Sequence, residues 1–259
     1  MKKLALTFVL LSVFCGLCRA QFTDCSSGLL QMPSAEMMPD GGFIITNNWL
    51  NSHSLPTSIW GYDTFQYGFA VSLWGRFEIG YICTILDGRK TSLKDEYWRI
   101  MFNQDRHFSG RVMLLRENEF GLEWMPALVA GISDPITGYA GDYMQGMVRA
   151  QGNGYFNRAF VVLSKHFQTP WGKVGAHAGY QYSLRRDYPI NAPCAGITWN
   201  PVWLQNDWFS PKFIVEYDSR TVNAGFIASV WKDHFEAFFE LQAMKWVNFG
   251  GRWKIRMNK

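Results

Sequence analysis

The sequence predicts an all-β fold: an antiparallel transmembrane β-barrel of about twelve strands, following a cleaved signal peptide. Three observations predict it. Apolar and small or polar residues alternate through segment after segment, most cleanly from Phe65 to Ile85 (FQYGFAVSLWGRFEIGYICTI). Long and short connections between these segments take turns along the chain. The opening MKKLALTFVLLSVFCGLCRA has two lysines, an apolar run from Leu4 to Leu17 and a small-residue end, the layout of a secretory signal with cleavage after Ala20.

Each element follows from the alternation. GFIITNNWL (Gly42 to Leu50) is the first strand. In the second and third, Phe65, Tyr67, Phe69, Val71 and Leu73, then Phe77, Ile79, Tyr81, Cys83 and Ile85, share one face. Gln66, Gly68, Ala70 and Ser72, then Glu78, Gly80, Ile82 and Thr84, share the other. The loop Trp74-Gly75-Arg76 between them pairs Leu73 with Phe77, and a glycine suits such a loop. Arg111 to Glu117 and Gly121 to Ile132 come next, then Tyr155 to Phe167, whose apolar residues fall on both faces.

From Trp171 to Leu184, Lys173, Gly175, His177, Gly179, Gln181 and Ser183 oppose Val174, Ala176, Ala178, Tyr180, Tyr182 and Leu184. CAGITWNPVWL, KFIVEYD, VNAGFIASVW, FEAFFELQA and WVNFGGRWKIRM complete the set. The last places Arg252, Lys254 and Arg256 opposite Trp253 and Ile255. That contrast suits a lipid and lumen boundary better than a sandwich core.

The connections support the same reading. Asn51 to Asp63, Asp87 to Gly110, Ser133 to Gly154 and Arg185 to Pro193 are long and follow strands one, three, five and seven. Tight turns follow strands two, four and six. Equal parity puts the long loops on one side, as in barrels with long extracellular loops and short periplasmic turns. Ser92 to Phe102 reads either as a short helix within a loop or as an additional strand. The resulting plan is a signal over residues 1–20, a short periplasmic segment over 21–41 and a barrel over 42–259.

Composition excludes other classes. Removing Lys2, Lys3 and Arg19 with the signal leaves 22 cations against 21 anions, so no basic surface argues for nucleic acid. Cys25, Cys83 and Cys194 remain, too few for a disulfide framework and without zinc-ligand spacing. Cys25 and Cys194 fall at opposite ends of the barrel plan and are not expected to pair. Cys83 is expected as a small hydrophobe on the lipid face. The sequence calls for no cofactor and no metal.

SGLLQMPSAEMMPDGGF (Ser27 to Phe43), WMPALVAGISDPITG (Trp124 to Gly138), VVLSKHF (Val161 to Phe167), GITWNPVWL (Gly196 to Leu204) and IVEYDSRTVNAGF (Ile214 to Phe226) occur in this order. Together they resemble the YjbH-like family of Gram-negative outer-membrane proteins, linked with exopolysaccharide production. The resemblance covers most of the mature chain. It implies an outer-membrane barrel that moves or assembles surface polysaccharide, with outer-membrane lipid, a polysaccharide or oligosaccharide and periplasmic export proteins as partners. It brings no catalytic residues. The larger family members carry additional regions that this chain does not match.

By parity the inward charges are Arg76, Glu78, Lys173, His177, Glu216, Asp218, Glu236, Glu240, Arg252, Lys254 and Arg256. They could line a pore or pair with one another, since polar groups enclosed in a narrow lumen need partners either way. The expected function, implied mainly by the resemblance, is a porin or secretion component for exopolysaccharide or oligosaccharide, without enzymatic activity. The alternatives are a plugged structural barrel in an export complex and a lipid-modifying hydrolase. The hydrolase requires a nucleophile and base within hydrogen-bond reach. His53-Ser54 and Ser164-Lys165-His166 are the nearest local approaches and read as loop and strand-end polar groups. Asp233-His234 and Asp134-Pro135 read as turn chemistry. Glu236 and Glu240 stand about 13 Å apart along one strand face, too far for a glycosidase pair.

Overall fold

The computed structural model describes residues 26–55, 61–86, 103–135, 156–183 and 190–256. Alternating side chains and left-handed turn residues fold them into a closed barrel. The strands are β1 (Gly42–Leu50), β2 (Thr64–Leu73), β3 (Phe77–Leu86), β4 (Asn103–Leu115), β5 (Ala127–Ser133) and β6 (Arg158–Thr169). They continue with β7 (Gly172–Ser183), β8 (Ile190–Pro201), β9 (Phe209–Tyr217), β10 (Val222–Val230), β11 (Phe235–Gln242) and β12 (Trp246–Arg256). Every strand is antiparallel to its chain neighbours, and β1 pairs with β12, so the sheet has no free edge. Closure of this kind removes the unpaired strand edges that an open sheet would present.

The alternation in the sequence is the alternation of the wall. Ile45, Phe69, Ile79, Phe108, Val161, Ile197, Val215 and Ile255 point outward and are exposed. Thr46, Gln66, Ser72, Glu78, His177, Glu216 and Glu240 point inward and are buried. Leu73 pairs with Phe77 as the loop length requires. Trp74 and Gly75 take φ of 56° and 58°, and Arg76 N–H donates to the Leu73 carbonyl at 3.1 Å. A turn with two left-handed residues matches the twist of the flanking strands.

Several strand boundaries differ from the sequence reading. β4 begins at Asn103 rather than Arg111, and β5 begins at Ala127 rather than Gly121. Their connection, Arg116 to Pro126, is therefore not a tight turn. Asn118, Phe120 and Gly121 all adopt positive φ there, which breaks the extended chain. β8 starts at Ile190, four residues before Cys194, and ends at Pro201. The segment Ser92 to Phe102, the expected signal over residues 1–20 and Cys25 lie outside the described residues.

The connections sort by end. Those following β1, β3, β5 and β7 share one end, called here the loop end. The opposite, turn end carries the β2–β3, β4–β5, β6–β7, β8–β9 and β10–β11 connections. Each of these five holds an exposed tryptophan: Trp74, Trp124, Trp171, Trp203 with Trp208, and Trp231.

The segment preceding β1 does not stand apart from the barrel. Ser26 to Asp40 turns back on itself inside it, with Gly28 bridged to Pro33. Its Leu29, Leu30, Met32 and Ala35 pack with Ala127, Val129, Phe160, Val162, Cys194, Ile214, Ile227 and Phe238 in one buried cluster. Hydrophobic burial against the inner wall thus holds an N-terminal hairpin within the lumen.

Candidate functional site

A hairpin enclosed by a barrel wall cannot hydrate its backbone, so its N–H and C=O groups must be met by the wall. At the apex, Leu29 N–H donates to the Met32 carbonyl at 3.0 Å and closes the turn. The next three amides point at one carboxylate. Leu30, Gln31 and Met32 N–H donate to Glu216 at 2.8, 2.6 and 3.1 Å. The Gln31 side chain donates to Glu240 Oε2 at 2.8 Å, and Arg158 donates to the Gln31 carbonyl at 3.1 Å. Gly196 faces this apex at close range: a Cβ there would lie 2.6 Å from Leu29 Cδ1, so that the leucine side chain would have to shift.

The two arms are fixed by Arg111, whose guanidinium donates to the Ser27 and Ser34 carbonyls and to that of Glu36 at 2.9 Å. Ala35 N–H donates to Ser164 Oγ at 2.7 Å. At the turn end, Glu78 accepts from Ser27 N–H, Ser27 Oγ–H and Met38 N–H at 3.1, 2.8 and 2.5 Å. Ser72 Oγ donates to the Met38 carbonyl at 3.1 Å. Glu36 leaves the hairpin to meet Lys212 at 2.9 Å and His166 Nε2 at 3.1 Å. Burial alone would raise the Glu36 carboxyl, but Lys212 and His166 outweigh it and hold it well below the usual carboxylate range.

The expected site residues therefore divide. Glu78, Glu216 and Glu240 hold the hairpin, and Arg252 contributes a bond to the Ser26 carbonyl at 3.3 Å. Arg252 also pairs with Glu236, which Lys254 meets at 2.9 Å. Asp218 caps the β9–β10 turn, accepting from Arg220 and Thr221 N–H at 2.9 and 2.7 Å. Arg76 sits in the β2–β3 turn and pairs with Glu119 of a neighbouring turn, so it ties the rim rather than lining the lumen. Lys173 stands at the turn-end mouth. The backbone of Arg256 ends β12, and its side chain lies outside the described residues.

His177 is the unexpected case. Its Nδ1 lies 2.8 Å from Ser164 Oγ, and its Nε2 lies 3.2 Å from Thr198 Oγ1. Ser164 and His177 are paired across β6 and β7. A serine and a histidine in reach would meet the first requirement of a hydrolase. Here both are buried, and the serine oxygen is occupied by the hairpin's Ala35 amide. The histidine's other nitrogen meets a hydroxyl rather than a carboxylate, so the pair lacks an orienting acid.

Sequence reading passed over Arg111, Arg158 and Ser164, the last named only as a strand-end polar group, and Glu36. The first three occupy inward positions on their strands, so parity combined with correct strand bounds would have found them. Glu36 carried no such signal, because the hairpin has no period.

Among the described residues, two cavities lie at the turn end. One of about 400 Å³ lies between Glu36 and the wall from β6 to β11, and one of about 540 Å³ lies on the other side of the hairpin base. Fold and interior together define a twelve-stranded β-barrel closed by its own N-terminal hairpin. A scan of the chain against protein-family models gave no match, and a search of curated proteins gave none.

Proposed function

We propose that the protein is an outer-membrane barrel that works as a plugged partner in surface-polysaccharide export. The observation that carries the plugged reading is the hairpin Ser26 to Asp40, held by Arg111, Glu78 and Glu216 and packed by Leu29, Leu30 and Met32. An interior built to conduct solute would be hydrated, whereas this one seats apolar side chains in an apolar part of the wall.

Membrane embedding is supported by the outer surface. Apolar side chains cover it, and tryptophans ring the turn end, Trp74 and Trp124 each being 71 % exposed. Amphipathic indoles of this kind collect where hydrocarbon meets headgroups. Half of the strands, β1, β2, β3, β9, β10 and β12, have the nine to eleven or so residues that a tilted strand needs to cross a bilayer. The link to polysaccharide rests on the resemblance to the YjbH-like family. The first reading, an open porin, needs the hairpin to leave the lumen.

The test is ion conductance of the detergent-folded mature protein in planar bilayers. The expected result is insertion without steady conductance. Replacing Leu29, Leu30 and Met32 by serine should then give stepwise openings. Steady conductance of the unaltered protein, reduced by added oligosaccharide, would overturn the plugged reading and restore the porin. Recovery of the protein in the soluble fraction without detergent would remove the membrane reading itself.

A further inference from the structure

We propose that the turn-end mouth of the barrel binds a small carboxylate carrying hydroxyl groups, of the size and chemistry of a sugar acid, with Lys173 as the anion contact. The cavity of about 400 Å³ lies within the range of small-molecule sites, roughly 300–1,000 Å³, and toward its lower end. Beside the charged Glu36, Lys173, Lys212 and Glu236, its lining includes side chains that both donate and accept hydrogen bonds, among them Gln168, Asn200, Gln205, Ser210 and Ser229.

The charges single out Lys173. Glu36 is met by Lys212 and His166, and Glu236 by Arg252 and Lys254. Lys173 has no carboxylate partner among the described residues, and it borders both turn-end cavities. One uncompensated ammonium calls for one negative charge. A lysine is a point charge without the planar fork that grips phosphate in two places, which favours a monoanion. Asn200, Gln205 and Ser229 each hold one protein partner and keep further hydrogen-bonding capacity, which a polyhydroxylated ligand would use and an apolar one would not. The inference depends on the cavity and its charges and stands whether or not the barrel serves polysaccharide export.

Calorimetric titration of the folded, full mature protein with glucuronate, glucose and acetate tests it. Saturable glucuronate binding is expected, with glucose and acetate each at least about tenfold weaker, since each lacks one half of the recognised chemistry. Lys173→Gln should weaken glucuronate about tenfold, while Lys173→Arg should retain most of it. Gln205→Ala, at an exposed position of the same cavity, should give a smaller loss with an unchanged thermal midpoint. Absence of saturable glucuronate binding would overturn the proposal. So would equal binding of glucose or of acetate, or a Lys173→Gln protein that folds and binds as before.

Discussion

The inner wall has two sectors built on opposite principles. From β4 to β11 it presents Val129, Phe160, Val162, Ile214, Ile227 and Phe238 to the hairpin, interrupted by charged groups that meet the hairpin's backbone. Around β12, β1, β2 and β3 the wall largely satisfies itself. Thr46 donates to Asn48 at 3.1 Å, Asn48 to Gln66 at 2.9 Å, and Gln66 to Thr84 at 3.1 Å. At the loop end of this sector the chain just after β1 folds in, where Asn51 and Ser54 bond Asn248 and Gln242. One sector needs a guest along its length, whereas the other meets the hairpin only near its turn end, through Glu78, Ser72 and Arg252. A lumen that is half apolar is built around its hairpin, and that asymmetry tells a plug from a passing loop.

The largest effect should come from the carboxylate on which three amides converge. Glu216→Leu strands the N–H groups of Leu30, Gln31 and Met32, at about 1–3 kcal/mol for each buried donor left unpaired. The hairpin should leave its seat, seen as rapid proteolysis within residues 26–40 and as new conductance, while the barrel stays folded. A closed, protected hairpin in this variant would show that apolar packing alone holds it. Leu30→Ala comes next. Loss of a fully buried leucine should cost about 2–5 kcal/mol, read as a lower denaturant midpoint for hairpin release.

Asn48→Ala probes the self-sufficient sector. It should cost about 1 kcal/mol in barrel stability, because Thr46 and Gln66 each lose one bond. Hairpin protection should not change. If proteolysis of the hairpin rises as much as in Leu30→Ala, the two sectors are coupled and the contrast between them fails.

The sequence carried the wall far better than its contents. In β2, β3 and β7 one face is small or polar, so period-two alternation showed which residues point inward. β6 was ambiguous for a physical reason: Phe160 and Val162 are apolar and inward because they touch the hairpin, while Val161 and Leu163 are apolar and outward. The run SGLLQMPSAEM has no period, and its partners lie far along the chain. Leu30 and Glu216 are separated by 186 positions. No local pattern marks such a contact, so a segment inside the barrel read as one that merely preceded it. The β4–β5 connection was misjudged because Leu122 and Trp124 extend the alternation of β5 backwards, although Asn118 and Gly121 take left-handed φ readily.

The smallest effect should come from Arg76. Parity alone placed it among the lumen charges, whereas it bridges two turns at the rim through Glu119. A partly exposed ion pair at a rim contributes little, because water screens it and two long side chains must be ordered to form it. Arg76→Ala should leave the denaturant midpoint, the proteolysis pattern and the closed state as they are. The neighbouring inward position gives the opposite expectation. Glu78→Ala removes the acceptor for Ser27 and Met38, so it should expose the hairpin base to protease. Two residues apart on one hairpin, these side chains separate charge that decorates the rim from charge that holds the plug. Equal behaviour of the two variants would mean that the base of the hairpin is anchored by the turns and not by the lumen wall.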